Sequence, residues 1–463
     1  MREEREPRST GDAGWTVLAL ACAAQFMVVL DVSVVNVALP SIAADLGFNE
    51  ADLQWVVNGY ALAFAGFLLL GGRLADVYGL KRVFVIGLVL FSASSLVGGL
   101  AGTPHVLVLA RGVQGLGAAV LAPASLTLLT TTFPEGPRRV RALAVWTAVA
   151  LAGGTAGNVV GGTLTEFLSW HWVLLVNVPV GAVAVPAAAR SLRSRRSVGS
   201  GRRLDVLGAA LATTGLVALT YGITRTPSRG WGDAGTLSAL VAGLVLLAAF
   251  VAVEARVARA PLIPLRLFRA RSVLAGNAVV LFAGAAFMPM WYFLSLYMQR
   301  TLLYSPLQTG LGFLPHTLVT MAVGVRVAPR LMDRFADRAL IVVGALLAAV
   351  GFVWQGLVPP GSGYLAAILG PGFVFSVGGG LLNTPLTNTV VSGVGTDDAG
   401  AASGLMNTAK QVGGALGLAV LVAMTTSTGR APGTDDGLAF LLIAAVLVVV
   451  AVACWALPPA RSV

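Results

Sequence analysis

The stretch LDVSVVNVALP, residues 30–40, decides the fold class, because it closes an apolar run that begins at Trp15 and contains one charge. At about 1.5 Å of rise per residue, residues 15–39 can cross the roughly 30 Å hydrocarbon layer of a membrane. An ionised Asp deep in such a helix costs on the order of 2.5 to 3.5 kcal/mol, which makes Asp31 a functional-site hypothesis. The same penalty favours the neutral acid, so Asp31 is predicted to bind and release a proton near neutral pH.

The composition is that of a polytopic membrane protein. The 463 residues are 57% hydrophobic and 11% charged, with a mean hydropathy of +0.84, which lies outside the range of soluble domains. Cys22 and Cys454 lie within apolar segments and lack metal-ligand spacing, so we expect neither a disulfide framework nor a metal site.

Apolar stretches of about 18 or more residues predict fourteen membrane-spanning helices and therefore an all-α membrane protein. Their approximate bounds are 15–39, 54–74, 83–101, 104–132, 143–165, 172–189, 205–224, 235–254, 273–297, 308–328, 339–358, 363–390, 402–424 and 437–457.

These stretches and the linkers between them divide the chain into two six-helix bundles separated by two inserted helices. The first bundle is predicted at residues 15–189, the inserted helices at 205–254 and the second bundle at 273–457. The basic linker 190–204 precedes the inserted helices, and a second linker, 255–272, follows them. The tails are residues 1–14 and 458–463.

The Lys and Arg residues predict the orientation, because cytoplasmic loops carry the excess of positive charge. With both termini cytoplasmic, the inner segments contain most of the 31 Lys and Arg residues. The net charge of +11 is therefore an orientation signal with possible contact to anionic lipids, and we expect no nucleic-acid partner. The outer segments contain Arg225, Arg229, Arg300 and Arg430, and Arg111 and Lys410 fall within helices.

An internal repeat links the loops after the second and tenth helices. Residues 73–79, RLADVYG, align with residues 330–336, RLMDRFA, at an offset of 257. A six-helix unit plus a two-helix insertion accounts for that offset. Duplicated halves are typical of secondary transporters, whose substrate site lies between the halves near mid-membrane.

The first of these loops resembles the signature between helices two and three of the major facilitator superfamily: Gly, Leu, Ala, Asp, Gly and two basic residues. Val77 stands where that signature usually has Arg. The resemblance implies a loop that latches the two halves in the outward-facing state; the alternative is an ordinary solvated turn. The latch residues would be Gly72, Asp76, Gly79, Lys81 and Arg82, with Arg330 and Asp333 in the repeat.

Further motifs resemble the fourteen-helix drug:proton antiporters of that superfamily. Residues 30–40 match the first-helix pattern, and residues 111–117, RGVQGLG, match the fourth-helix pattern, whose Arg is assigned to proton transfer. Residues 157–162, GNVVGG, match the fifth-helix antiporter motif, with Asn158 where Pro is expected, and residues 177–181, NVPVG, resemble a segment typical of the group. The motif residues carried over are Gly157, Asn158, Gly161 and Gly162.

Asp31 and Arg111 are predicted to lie at nearly the same depth. Each lies several residues inside the outer end of its helix, so their depths differ by only about 3 Å. We expect Arg111 to pair with deprotonated Asp31 and to move away when Asp31 takes a proton. The alternative is a fixed structural ion pair.

Candidates for the substrate cavity are uncharged polar, aromatic and adaptable apolar side chains within helices. Lys410 either faces the cavity or extends toward the cytoplasm, and His316 either relays protons or is a buried, hydrogen-bonded histidine. Lipid-facing packing is the alternative for the aromatic residues, and close packing is the better interpretation of the glycine clusters. The candidates are Gln25, Asn36, Asn58, Gln114, Phe287, Met288, Trp291, Tyr292, His316, Asn383 and Lys410.

Taken together, the motifs predict a proton-coupled multidrug efflux antiporter in the cell membrane. It would export small amphipathic or cationic organic compounds by alternating access, act as a monomer and need no cofactor besides the coupling proton. An exporter dedicated to one endogenous metabolite, such as an antibiotic or a lipid, is the main alternative, and an importer is third. A channel and a membrane-embedded enzyme are disfavoured, because the sequence has neither a filter-like loop nor a catalytic constellation.

Overall fold

The computed structural model describes residues 10–134, 136–192, 205–258, 261–262, 265–359, 361–392, 394, 399–426 and 436–457. Within these residues the chain forms helices and connecting turns without a β-strand. Fourteen helices are long and apolar enough to cross a membrane, so the predicted all-α architecture is confirmed. They are α1 (Gly14–Leu46), α2 (Ala51–Ala75), α3 (Leu80–Gly99), α4 (Pro104–Thr132), α5 (Pro137–Phe167), α6 (His171–Ser191), α7 (Val206–Arg229), α8 (Ala234–Arg256), α9 (Arg271–Thr301), α10 (Pro306–Met332), α11 (Asp337–Gly356), α12 (Leu365–Val390), α13 (Ala401–Thr426) and α14 (Gly437–Ala456).

Several predicted segments lie outside the described residues. They are residues 1–9 of the N-terminal tail, residues 193–204 of the basic linker, Arg430 and the C-terminal tail 458–463.

The two six-helix bundles have the same internal packing. In the first bundle α4 packs on α2 and α3, and α1 packs on α5; in the second, α12 packs on α10 and α11, and α9 packs on α13. Each contact thus has its counterpart eight helices later along the chain. This is the shift that a duplicated six-helix unit with two inserted helices requires, as the loop repeat predicted.

Glycines allow the closest helix contacts within each bundle. Gly157 and Gly161 lie one turn apart on α5, where a Cβ atom would come within 2.6 Å of Ser33 Cβ and 2.8 Å of Val34 Cα on α1. Gly417 on α13 faces Ala285 of α9 in the same way, at 2.6 Å from its Cα atom. These glycines therefore act by close packing, because a larger side chain would collide with backbone.

Helix α1 continues beyond its predicted end at Leu39, through Pro40, to Leu46. Proline has no N–H group, so the carbonyl of Asn36 has lost its usual partner within the helix. Ser295 of α9 donates its hydroxyl to that carbonyl at 2.7 Å, and Gln299 donates its amide to the next carbonyl, Val37 O, at 2.8 Å. The proline therefore frees one acceptor, Asn36 O, and together with Val37 O it joins the first bundle to the second.

A second contact between the bundles joins α5 to the start of α10. The Glu166 carboxylate accepts hydrogen bonds from Ser305 Oγ at 2.5 Å and from the backbone N–H of Leu307 at 2.9 Å. A carboxylate at this position is stabilised by the partial positive charge of the helix N-terminus. Both bundle contacts lie at the predicted outer end, so the two bundles are held together on that side.

Replacing Glu166 by Ala should loosen the outer closure. Losing bonds to an exposed carboxylate is expected to cost about 1 kcal/mol, or roughly a fivefold change in the ratio of closed to open molecules. The measurement is the alkylation rate of Thr309→Cys, a buried α10 position, by a membrane-impermeant thiol reagent in a Cys22→Ala, Cys454→Ala background. Asp52→Ala removes another outer carboxylate that contacts only its own bundle, and it should leave the rate unchanged; equal rates in both variants would contradict the prediction.

The inserted helices α7 and α8 pack against the seam between the bundles. Leu216 of α7 shares an apolar cluster with Leu62 of α2 and Ala415 of α13. At the outer turn, Asp233 accepts from the Thr236 N–H at 2.9 Å and pairs with Arg225 at 3.2 Å. These bonds lower the pKa of Asp233 below its ordinary value of 3.8, so it is ionised at neutral pH.

Candidate functional site

Asp31 lies inside the first bundle, with its carboxylate turned away from the lipid. The side chain is fully buried, and Arg111 Nη1 donates to Asp31 Oδ2 at 2.5 Å. Arg111 is itself 2% exposed. The two side chains, which were predicted to lie at nearly the same depth in the membrane, are therefore in direct contact. Both are shielded from water in this conformation.

The second carboxylate oxygen is held by two amides. Asp31 Oδ1 accepts from Gln114 Nε2 at 2.7 Å and from Asn177 Nδ2 at 3.1 Å. The same two amide nitrogens donate to Ser95 Oγ, at 2.7 and 3.3 Å. All three neutral partners are buried, so helices α1, α3, α4 and α6 meet in one hydrogen-bonded polar cluster.

Arg111 is fixed by contacts that need the full guanidinium. Its Nε donates to the backbone carbonyl of Val56 at 3.1 Å, and Nη1 donates to Gln114 Oε1 at 2.7 Å. Its Cζ atom lies 4.5 Å from the centre of the Tyr60 ring, a cation–π contact. A lysine could keep the charge but could not make this set of contacts, because it lacks the planar fork.

A buried ion pair of this kind gains little stability over a well-packed apolar pair, since both ions must be stripped of water. Removing one partner leaves the other charge buried and uncompensated, which is strongly unfavourable. The site can therefore avoid an uncompensated buried charge when the ion pair separates. If Arg111 moves away, protonation of Asp31 removes the charge that would otherwise be stranded.

Sequence reasoning missed three members of this cluster as site residues: Tyr60, Ser95 and Asn177. Each is a polar side chain in the middle of an apolar helix, which is the signal that could have marked it. That signal does not say which neighbours each helix will have. Only Gln114, among the uncharged polar candidates, was predicted and is found at Asp31.

The other polar candidates lie elsewhere. Asn36 and Asn383 donate to carbonyls of their own helices, Val32 O at 3.0 Å and Gly379 O at 2.9 Å. Asn58 is buried and donates to Gln54 Oε1 at 3.3 Å, whereas Gln25 is half-buried. Their proposed place in a substrate cavity stays a prediction.

Phe287 and Trp291 belong to the apolar core of the second bundle, whereas Tyr292 lies in an apolar cluster with α1 of the first bundle. Phe287 and Trp291 contact Phe352 and Phe313, with ring centres 6.5 and 5.1 Å apart. Tyr292 is 2% exposed. Met288 packs its side chain against Gly414 of α13, within 2.9 Å of the position that a Cβ atom would take.

His316 and Lys410 differ sharply in their surroundings. His316 is buried beside Phe375, with ring centres 5.3 Å apart. The backbone of Gly372 lies directly against its ring, and both roles considered for His316 stay predictions. Lys410, in contrast, has an exposed side chain on α13.

The loop residues predicted to form a latch are mostly at the surface. Gly79 directly precedes α3 and has a φ of +88°, a conformation that glycine adopts without strain. The side chain of Asp76 lies outside the described residues. The role of these residues as a latch stays a prediction. Gly72 and Lys81 are half-buried, and Arg82, Arg330 and Asp333 are exposed.

The antiporter-motif segment of α5 contacts both neighbours at once. Gly157 and Gly161 face α1, whereas Gly162 faces α10, where a Cβ atom would lie 2.8 Å from Leu307 Cα. Asn158 is 4% exposed, and its backbone carbonyl lies against Gly310 of α10. The segment thus contributes to the outer closure between the bundles without the proline that the motif usually has.

The family model for the Major Facilitator Superfamily matches residues 21–418. The chain belongs to the major facilitator superfamily. It is accordingly a multi-pass transporter of the cell membrane, a class that moves small molecules across the bilayer and is distinct from enzymes.

Two curated members of the superfamily are similar over nearly the whole chain. The cephamycin export protein of Amycolatopsis lactamdurans is 56% identical over 453 residues, covering 96% of this chain and 93% of that protein. The puromycin resistance protein of Streptomyces alboniger is 39% identical over 465 residues, covering 97% and 92%.

Solved transporters share the fold at low sequence identity. A peptide transporter crystallised in complex with alafosfalin superposes with a TM-score of 0.72 at 14% identity, covering 97% of each chain. A nucleoside transporter superposes with a TM-score of 0.68 at 14% identity, covering 96% of this chain and 99% of the other. These likenesses support the fold of this superfamily member and say nothing about its substrate.

Proposed function

We propose that this transporter exports small antibiotics and related organic compounds in exchange for protons, by alternating access. The observation that carries the proposal is the ion pair between Asp31 and Arg111, which is buried in the membrane-spanning part of the first bundle. Relatives named as a cephamycin export protein and a puromycin resistance protein support outward transport of antibiotics.

The geometry fits one step of such a cycle. The carboxylate is paired with Arg111, which is the arrangement expected after a proton has left for the cytoplasm and substrate can enter. Rearrangement to the outward-facing state would separate Arg111 from Asp31, so the acid would take a proton from outside as substrate leaves. Return of the protonated carrier would then complete the exchange. The cycle needs only one chain, so the transporter is proposed to act as a monomer.

Inward movement of protons supplies enough free energy for export to confer resistance. One proton moving inward supplies about 2.3 kcal/mol per 100 mV of membrane potential. This sustains a gradient of roughly 50-fold for a neutral substrate.

A narrower function is favoured by one comparison: export of a single β-lactam product of the cephamycin kind. The 56% identity to a cephamycin export protein covers both chains almost completely. Cephamycins are carboxylic acids and therefore anions at neutral pH. Lys410 would suit such a substrate, because it is a cation within the membrane-spanning helix α13 and its side chain is exposed.

Replacing Lys410 by Gln should reduce transport of a cephamycin about tenfold and leave transport of cationic puromycin within about twofold. A single charge-assisted contact of this kind is worth about 1.5 kcal/mol. Initial rates in proteoliposomes measure the effect, and Lys410→Arg serves as the control that keeps the charge. Equal losses for both substrates would contradict a role for Lys410 in recognising the anion.

Proteoliposomes loaded with a pH-sensitive dye test the proposed function itself. Substrates of the multidrug and the dedicated hypothesis should each be added: a cephamycin, puromycin, lincomycin and a cationic dye. Proton movement driven by several of them supports multidrug export, whereas a response to the cephamycin alone supports the dedicated exporter. Transport without proton movement would exclude antiport, and the absence of counterflow would indicate a channel.

A further inference from the structure

Asn177 occupies an unusual position in the polar cluster around Asp31. Its side chain is fully buried, and its Nδ2 donates to Asp31 Oδ1 at 3.1 Å and to Ser95 Oγ at 3.3 Å. Its own carbonyl oxygen, Oδ1, has no hydrogen-bond partner among the described residues. A buried acceptor left without a donor is unfavourable, so its presence calls for an explanation.

The explanation lies in what Asp31 needs in each protonation state. Ionised Asp31 only accepts hydrogen bonds, so both neighbouring amides turn their nitrogens toward it. Protonated Asp31 has an O–H group that must donate. Ser95 Oγ cannot readily receive it, because that oxygen already accepts from Gln114 and Asn177 and has two lone pairs.

Of the two amides, only Asn177 has a side-chain oxygen that does not already accept a hydrogen bond from a described residue. Gln114 Oε1 already accepts from Arg111 Nη1 at 2.7 Å, so turning Gln114 would break that contact. Asn177 Oδ1 is unused.

We propose that Asn177 is a positioning residue whose side-chain amide inverts when Asp31 binds a proton, so that Asn177 Oδ1 accepts the new O–H. The inference rests on the proposed function, in which Asp31 is the proton site. The step forms one O–H bond on Asp31 and breaks one O–H bond in the hydronium ion that donates the proton and leaves as water, and rotation about the Asn177 Cβ–Cγ bond provides the acceptor. No other covalent bond changes.

Inversion would also transmit the protonation state to neighbouring helices. With its oxygen turned toward Asp31, Asn177 no longer donates to Ser95, so a bond between α6 and α3 is released. The charged and titratable groups facing Asp31 are Arg111 from α4 and Tyr60 from α2. Helices α3 and α6 contribute the neutral Ser95 and Asn177, and α5 contributes glycine packing.

Infrared difference spectroscopy of the wild-type transporter in lipid nanodiscs tests this directly, without a ligand. Spectra at high and low pH should contain a protonated-carboxyl band of Asp31 and, with it, a shift of a side-chain carbonyl band that is sensitive to isotope labelling of asparagine. Asp31→Asn should remove both. An Asp31 band without any asparagine-dependent shift would overturn the inference.

A variant adds a second measurement. Asn177→Leu should change the pH midpoint of the Asp31 carboxyl band, because it removes a donor to the ionised form and the proposed acceptor for the protonated form. Asn277→Leu is the matched control: Asn277 is buried on α9 in the second bundle, and its Oδ1 also lacks a described partner. It should leave the midpoint unchanged.

The outcomes separate this inference from the proposed function. An unchanged midpoint in Asn177→Leu, or an equal change in Asn277→Leu, overturns the role of Asn177 while Asp31 remains the proton site. If proton-driven transport survives in Asp31→Asn, the proposed function itself fails. Should Asn177→Leu fold poorly, the isotope-labelled wild type still decides.

Discussion

Asp31→Asn is expected to abolish proton-driven accumulation of substrate, reducing a gradient of roughly 50-fold to none. Asparagine has nearly the same shape, and its amide oxygen can still accept from Arg111. It cannot take up or release a proton at any physiological pH, so the exchange of charge at this position stops. Exchange of substrate down its own gradient should persist, because it does not require a change in protonation.

The measurement is uptake into proteoliposomes with an imposed proton gradient, together with counterflow in its absence. Asp233→Asn is the matched control, since Asp233 is also ionised and paired with an arginine, Arg225, but at the exposed outer turn of the inserted helices. An exposed pair of this kind contributes little, so this variant should behave like the wild type. Full proton-coupled export by Asp31→Asn would remove the mechanism.

Arg111→Met is expected to reduce proton-coupled export at neutral pH by about 100-fold or more. Methionine removes the counter-charge, and an uncompensated buried carboxylate costs about 3–5 kcal/mol. Asp31 avoids that cost by staying protonated, so the carrier can no longer release its proton to the cytoplasm. Arg111→Lys should lie between the wild type and Arg111→Met, because it keeps the charge but loses the contacts to Val56 and Tyr60. Proton release on substrate addition, followed as a function of pH, measures the effect.

The double variant Asp31→Asn, Arg111→Met separates a coupling role from a purely structural one. It leaves no buried charge at the site, so thermal unfolding should recover toward the wild-type temperature relative to Arg111→Met alone. If the pair only stabilises the fold, transport should recover as well. The proposed function predicts a stable protein that exchanges substrate without coupling to protons.

Several features of this transporter could be predicted from the sequence, because they depend on hydropathy and helix rise, which are sums over successive residues. Hydropathy gave the number of spans, and the loop repeat indicated the duplication that the helix packing displays. The cost of an ionised group in a membrane identified Asp31 before any neighbour was known. Helix rise then placed Arg111 at the same depth, and the two side chains are in contact.

The partners around that pair were decided by the tertiary structure. Ser95 and Asn177 belong to helices whose rotation about their own axes cannot be obtained from hydropathy, so the sequence gives no reason to prefer them over Asn36 or Asn383. The contact between Glu166 and the start of α10 likewise exists only because α5 and α10 meet at one end of the bundles. The backbone carbonyls near Pro40 accept hydrogen bonds from the second bundle because α9 places donor side chains beside them.

The sequence by itself determined the membrane fold, the duplicated halves and the depth of the buried acid. Only the tertiary structure decided which side chains surround that acid and which end of the bundles is closed. The physical reason is that depth follows from a constant rise along each helix, whereas lateral neighbours depend on how fourteen helices rotate and pack together.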